Sequence, residues 1–267
     1  MALLEMQDLK TFFTTKRGVV KAVNGVSYKV EAGRTLGVVG ESGSGKSVSA
    51  MSMLQLLDGN GYIAGGSIMF DGKDLTKMPL SEMQKIRGNA ISVIFQEPMT
   101  SLNPVFTIER QVSEPFIIHQ GLSKEEARKK VVEMLADVKI PNPEVVAKQY
   151  PHQLSGGMRQ RAALARTLYE DRPIVLMDEP FSALDTLTRT RIQTLAATLL
   201  AGRTVVLITH DPQEACRLSH RLLVLSAADG DIDDSHHLAG TPPRAPDAPD
   251  LLISQAALLQ QLMRAHP

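Results

Sequence analysis

Cysteine is nearly missing from this chain: Cys216 is the only one in 267 residues. That excludes an internal disulfide framework and any metal site built from several cysteines, and it suits a reducing compartment. Net charge is missing too, since Lys+Arg and Asp+Glu both number 29. The basic footprint of a nucleic-acid binder is therefore absent, and nucleic acid is not expected among the partners. No apolar run approaches the ~20 residues that a membrane-spanning helix needs. The opening MALLEMQDLK lacks the basic-then-apolar build of a signal peptide. The expected location is cytoplasmic, with any work at a membrane done through partners. The length allows one large domain or two smaller ones.

What the chain does have is a loop around which the rest is organised. Gly40-Glu41-Ser42-Gly43-Ser44-Gly45-Lys46-Ser47 closes the apolar run Leu36 to Val39 and opens a helix-compatible segment through Leu57. Two glycines separated by four residues and followed by Lys and Ser fit the phosphate-loop pattern. Glycines let the backbone curl so that successive N–H groups face phosphate oxygens, and a helix starting near Lys46 adds its positive dipole end. In that arrangement Lys46 reaches the β- and γ-phosphates and the Ser47 hydroxyl coordinates Mg²⁺.

Ahead of the loop, Leu3 to Leu9, Val19 to Val23, Val26 to Val30 and Thr35 to Val39 read as short strands, with Gly25 and Gly33 as punctuation. They predict an antiparallel β layer that feeds the loop-bearing strand. Phe12 and Phe13 lie close to that layer, and an aromatic there serves either as core or as a stacking surface for adenine. After the first helix, residues 65–72 read as a strand with a turn on each side, and Ser81 with Gln84 as the cap of a short helix through Arg87.

Three further apolar strands end in polar residues. Ile91 to Phe95 ends at Gln96, Ile174 to Met177 at Asp178-Glu179, and Thr204 to Ile208 at Thr209-His210. The carboxyl ends of parallel strands are where open α/β sheets hold ligands. A tandem Asp-Glu there costs desolvation and like-charge repulsion, which a nearby divalent cation offsets. Between the first two of these strands, residues 97 to about 165 read as a helical insertion, with helices near 108–119, 123–138 and 143–149. Ser123 and Glu126 form a capping box, and Glu125/Lys129 and Glu126/Lys130 are i,i+4 pairs. Leu154-Ser155-Gly156-Gly157-Met158 then opens an alanine-rich helix to about Tyr169. Ser182-Ala183-Leu184-Asp185 precedes a helix to about Leu200, and Asp211, Pro212 and Glu214 supply an N-cap, N1 proline and N3 acid. Leu222 to Leu225 is expected to complete the sheet. Residues 226 to 250, with four prolines and six aspartates, read as a linker or irregular surface segment before a short amphipathic helix. His236 and His237 read as solvated.

In their order and spacing these motifs resemble the ATP-binding subunit of an ABC transporter, over residues 3 to about 225. The resemblance implies an α/β fold: a P-loop NTPase ABC cassette with a RecA-like core, an N-terminal antiparallel β layer and a helical insertion. It implies an ATPase unit over 1–226, with its helical subdomain at about 97–165, and an accessory stretch over 227–267. The cofactors are ATP and Mg²⁺. Glu179 becomes the general base for the attacking water, Asp178 holds Mg²⁺, Gln96 senses metal and water, and His210 contacts the γ-phosphate. Phe13 matches the adenine-stacking aromatic best. Ser155, Gly156 and Gly157 are the signature segment, which serves ATP held by the opposite subunit, and Asp185 closes the loop that follows. The implied partners are permease subunits in the membrane, a second ATPase subunit, identical or paralogous, and indirectly a solute-binding protein. The place implied is the cytoplasmic face of the inner membrane.

The first 161 residues are closest to peptide and dipeptide importers, through Phe95-Gln96-Glu97-Pro98-Met99-Thr100-Ser101-Leu102-Asn103-Pro104 and Tyr150-Pro151-His152-Gln153-Leu154-Ser155-Gly156-Gly157-Met158-Arg159-Gln160-Arg161. From Ala162, segments such as Asp178 to Asp185 look more like importers of nitrate, taurine and pyrimidine precursors, and the peptide group's usual C-terminal extension is missing. The pattern is that of a mosaic with a junction near Arg161. Soluble ABC ATPases that remodel DNA or ribosomes are the alternative class, but they generally carry two cassettes or a long coiled-coil insertion. This chain has one cassette and a compact insertion.

Overall fold

The computed structural model describes residues 2–95, 102–168, 173–225 and 232–264. Two sheets organise them. The first is antiparallel, in the order β2-β1-β4-β5, from strands β1 (Ala2–Thr15), β2 (Gly18–Glu31), β4 (Gly61–Phe70) and β5 (Lys73–Asp74). The second runs β10-β9-β3-β8-β7-β6, from β3 (Thr35–Gly40), β6 (Ile91–Ile94), β7 (Ile174–Asp178), β8 (Thr204–Thr209), β9 (Arg221–Leu225) and β10 (Ile232–His237). Strands β9, β3, β8, β7 and β6 pair in parallel, and β10 joins β9 antiparallel.

The parallel strands are continuous apolar runs because both faces are covered. On β7, Val175 and Met177 enter a core shared with the helices, while Ile174 and Leu176 enter a second core shared with the antiparallel layer. The first core takes its helices from α3 (Ile108–Gln120), α4 (Lys124–Asp137), α5 (Pro143–Ala147), α6 (Gly156–Leu168) and α7 (Thr186–Leu199). Helix α1 (Lys46–Met53) lies in the second core, through Ala50 and Met53. Helices α8 (Pro212–Leu218) and α9 (Pro249–Arg264) complete the layer beside β9, where Leu251 and Leu258 pack with Val39, Cys216 and Val224.

Several local expectations change. The strands expected at 3–9, 19–23 and 26–30 are two long strands. Gly25, at φ +96°, is an irregularity inside β2, where the register steps from Leu9↔Val26 to Lys10↔Asn24, and not a turn. Gly66, at φ +83°, plays the same part in β4, and a side chain there would collide with the Asp8 backbone. Helix α1 stops at Met53 rather than Leu57. Helix α2 (Leu80–Ile86) takes Pro79 as its N-cap residue, two residues ahead of the Ser81 cap expected. Ser123 and Glu126 do form the capping box, with Glu126 Oε2 accepting from both the Ser123 N–H and hydroxyl, at 3.0 and 2.6 Å. Lys130 pairs with Glu133 at 2.9 Å instead of with Glu126.

The stretch 226–250 departs furthest from expectation. It contributes β10, so β9 does not end the sheet, and Arg244 anchors the following segment by donating to the carbonyls of Cys216 and Ser219, each at 2.8 Å. Composition signalled exposure, but pairing with an open sheet edge and one arginine fork give the segment a defined place.

Candidate functional site

The phosphate-type loop leaves β3 and enters α1 with Gly43 and Gly45 both at φ +86°, a conformation that side-chain-bearing residues rarely adopt. Gly45 also backs onto the Ala22 carbonyl and Val23, so no Cβ fits there. Lys46 is buried at the helix start, and its Nζ donates to the carbonyls of Gly40 at 2.7 Å and Glu41 at 2.5 Å. Burial lowers its ammonium from the usual lysine range, against the opposing pull of Glu179, Asp178 and Glu41.

The adjacent Ser47 hydroxyl donates to Asp178 Oδ1 at 2.8 Å. This bond joins the helix after β3 to the end of β7, two strands away in the sheet. Desolvation raises the Asp178 carboxyl above the ordinary range, with the negative field of Glu179 adding to it, while the Ser47 bond and Lys46 oppose the rise. A buried carboxylate and a hydroxyl held together at a strand end are hard oxygen donors of the kind Mg²⁺ uses. The residues present therefore fit that ion.

Glu179 follows at φ +47°, an unusual value for a residue with a side chain, and its N–H donates to the Ile208 carbonyl at 2.8 Å. The turn aims its carboxylate at the end of β8, where Oε1 lies 3.0 Å from His210 Nδ1. Glu179 is largely buried and His210 exposed, so the pair lies at the mouth of the site. Three strand ends thus meet through side chains: β3 through Ser47, β7 through Asp178 and Glu179, β8 through His210. Gln96 and its loop lie outside the described residues.

The other residues singled out are dispersed. Ser155 is exposed at the start of α6, where its hydroxyl accepts from the Met158 N–H at 3.3 Å. Gly156 faces open space, and a Cβ on Gly157 would meet Thr188 of α7 at 3.6 Å. Asp185 is exposed and caps α7, accepting from the Thr188 N–H at 3.0 Å. Phe13 is half-buried in β1, packed over Gly61 of β4 where no Cβ could be accommodated.

Three side chains hold this site in ways the motifs did not announce: Gln160 and Glu214 lie inside motifs already quoted, and Arg189 in none. Gln160 donates to the Pro180 carbonyl just after Glu179. Arg189 pairs with Asp211 at 3.4 Å. Glu214 is buried with its carboxyl pushed up to about 7 by desolvation, and accepts from Gln193 at 3.1 Å, while Gln193 accepts from Arg217 at 2.7 Å. Gln160 stands in the glycine-marked signature segment and Glu214 in the Asp211 helix start, but their partners are distant in sequence, and only the polar character of Arg189 inside α7 could have drawn notice to it.

A curled glycine loop opening a helix, with an acid pair at the end of a nearby parallel strand, defines a phosphate-loop nucleotide-binding protein. The family model for the ABC transporter matches residues 23–182. The chain is 43% identical over 230 residues to the dipeptide transport ATP-binding protein DppD of Lactococcus lactis, covering 85% of this chain and 66% of that one. It is 40% identical over 263 residues to the oligopeptide transport ATP-binding protein OppD of Bacillus subtilis, covering 96% of this chain and 72% of that one. Among solved structures, it resembles the dimeric, post-hydrolysis ATP-binding cassette MJ0796 bound to ADP and Pi, at TM-score 0.77 and 30% identity over 89% of this chain and 99% of that one. The chain belongs to the ABC transporter family, as an ATP-binding subunit whose fold is the ABC cassette. The chain spans about two thirds of the length of these transport proteins, and the likeness to them runs past Arg161, where a change of character is expected.

Proposed function

We propose that the chain binds ATP at residues 40–47, hydrolyses it, and powers import of di- or oligopeptides through membrane permease subunits, as one of two ATPase copies. The observation that carries this reading is the adjacency of two pairs, Ser47–Asp178 at 2.8 Å and Glu179–His210 at 3.0 Å, along the carboxyl-end edge of the parallel strands. Phosphoryl transfer depends mainly on positioning and charge stabilisation, and such an edge provides both.

In this reading the residues at Gly40, Glu41, Ser42, Gly43, Ser44 and Gly45 present backbone N–H groups to the phosphates. Lys46 exchanges the Gly40 and Glu41 carbonyls for phosphate oxygens. Ser47 and Asp178 hold Mg²⁺, which neutralises charge on the phosphate oxygens when bound. Glu179 accepts the proton of the attacking water, and His210 holds that carboxylate in place and reaches the γ-phosphate. Gln96 would complete the metal and water contacts. Phe13, with one side on Gly61, leaves its remaining ring surface to an adenine. Ser155, Gly156, Gly157 and Asp185 serve the nucleotide of the second copy, which gives the exposed signature segment a task. The ATPase unit takes in 1–226, its helical part 97–165, and residues 227–267 are accessory.

Among the described residues no helix is long and apolar enough to cross a membrane. The proposed place is peripheral, on the permease at the cytoplasmic face. The relatives bearing names of dipeptide and oligopeptide transport support peptides as the solute class.

Replacing Glu179 by Gln tests the chemistry. ATP binding should survive while hydrolysis falls on the order of a hundredfold or more, and near-normal turnover would overturn the base assignment. Reconstitution with peptide-type permease subunits in liposomes tests the transport role. ATP-dependent uptake of a labelled dipeptide is expected. Stimulation of the ATPase only by permeases of another importer type would overturn the solute assignment.

A further inference from the structure

One side chain joins the exposed loop after β7 to the turn that carries His210. Arg189 lies in the first turn of α7, its backbone N–H donating to the Asp185 carbonyl at 2.8 Å. Its guanidinium reaches back across the loop, where Nη2 donates to the carbonyls of Leu184 at 3.0 Å and Ser182 at 3.5 Å. Nη1 pairs with Asp211 Oδ2 at 3.4 Å. Asp211 follows His210 directly, and its other oxygen, Oδ1, accepts from the Gln213 and Glu214 N–H groups that open α8. One carboxylate oxygen thus fixes the helix and the other is left to Arg189.

The loop end is tied to the same place from the other side. The Ser182 hydroxyl donates to the Glu179 carbonyl at 3.0 Å, and Glu179 meets His210 at 3.0 Å. The contacts form a closed circuit through Glu179, His210, Asp211, Arg189 and Ser182. Arg189 Nε is buried with no hydrogen-bond partner, an arrangement that calls for a reason beyond packing.

We propose that Arg189 is a positioning residue for hydrolysis. It locks the 182–185 loop to His210, so that a push on this exposed loop moves His210 relative to Glu179. The inference rests on the reading of Glu179 and His210 as the reacting pair. Simple attachment of α7 to α8 does not require Arg189. The buried Gln193–Glu214 and Arg217–Gln193 bonds, at 3.1 and 2.7 Å, already join the two helices one turn further on.

The test compares Arg189→Gln, Arg189→Lys and His210→Ala with the unaltered chain, by steady-state ATP hydrolysis, ATP-binding titration and thermal unfolding. Arg189→Gln should lower kcat on the order of ten- to a hundredfold, as misplacement of reacting groups does. KM and the ATP dissociation constant should stay within roughly twofold, and the unfolding midpoint near that of the parent. Arg189→Lys should recover part of the rate by keeping a cation beside Asp211. The double variant Arg189→Gln/His210→Ala should lose little more than His210→Ala alone. Unchanged kcat in Arg189→Gln, with His210→Ala inactive, would overturn the positioning role and leave the site reading standing. Parallel losses of binding, rate and stability would make Arg189 merely structural. Normal turnover in His210→Ala would overturn both the site reading and this proposal.

Discussion

The sheet edge and the signature segment are built in opposite ways. At the edge, Ser47 from the start of α1 and Asp178, Glu179 and His210 from the ends of β7 and β8 bind one another through side chains, with Lys46 and Asp178 buried. At the signature segment, the Ser155 hydroxyl accepts from the nearby Met158 N–H, and Gly156 faces open space. Binding groups that are finished within one chain lie beside groups that have nothing opposite them. In the proposed reading, the difference is that one chain holds a catalytic half-site and, separately, a surface for completing another. A reaction assembled only on closure ties hydrolysis to movement.

The sharpest way to break the comparison is at its finished half. Lys46→Ala should abolish tight ATP binding, read by nucleotide titration, because the only ammonium buried at the loop is lost. Gly157→Asp should also stop hydrolysis, by placing a bulky anion where the γ-phosphate of a second copy would come. Yet it should leave ATP binding and the thermal midpoint nearly unchanged, since a Cβ on Gly157 meets Thr188 only at an ordinary 3.6 Å contact. Comparable loss of binding in both variants would erase the distinction between the two regions.

A smaller effect concerns the support beneath His210. The Glu214 carboxyl is pushed up to about 7 from 4.5 by burial. The folded chain therefore keeps a proton that the unfolded chain releases, and stability should fall as pH rises from about 4.5 to 7. The loss amounts to about 3 kcal/mol at most, at ~1.4 kcal/mol per pH unit. Urea unfolding at pH 5 and pH 8 should show the decline, and Glu214→Gln should flatten it. At the exposed helical surface, Glu133→Ala removes the Lys130 partner and should leave the unfolding midpoint in the same assay nearly unchanged, because solvent screens an exposed pair.

Much of this was legible beforehand because glycines and apolar runs carry strong local constraints. The run Leu36 to Val39, the curl at Gly43 and Gly45, and the acid pair after Met177 each announce their geometry through residue type and position. The cap at Asp211 was equally readable, since Asp, Pro and Glu at successive helix-start positions have one shared use. What could not be read depends on neighbours distant in sequence. Gly25 and Gly66 look like turns in isolation, and only pairing with β1 makes them irregularities within long strands. Strand β10 comes from a segment whose aspartates and prolines signal exposure, and the edge of β9 decides its conformation. Arg189 meets Asp211 across the rest of α7 and the strand β8, a contact that no spacing along the chain encodes.

The most direct test of the half-site account is to mix two inactive chains, Lys46→Ala and Gly157→Asp, and measure ATP hydrolysis. Each mixed dimer has one site with an intact phosphate loop facing an intact signature segment. The account predicts activity well above either parent, up to roughly a quarter of the unaltered chain if half the dimers are mixed and the two sites act independently. No recovery, with mixed dimers shown to form, would contradict it.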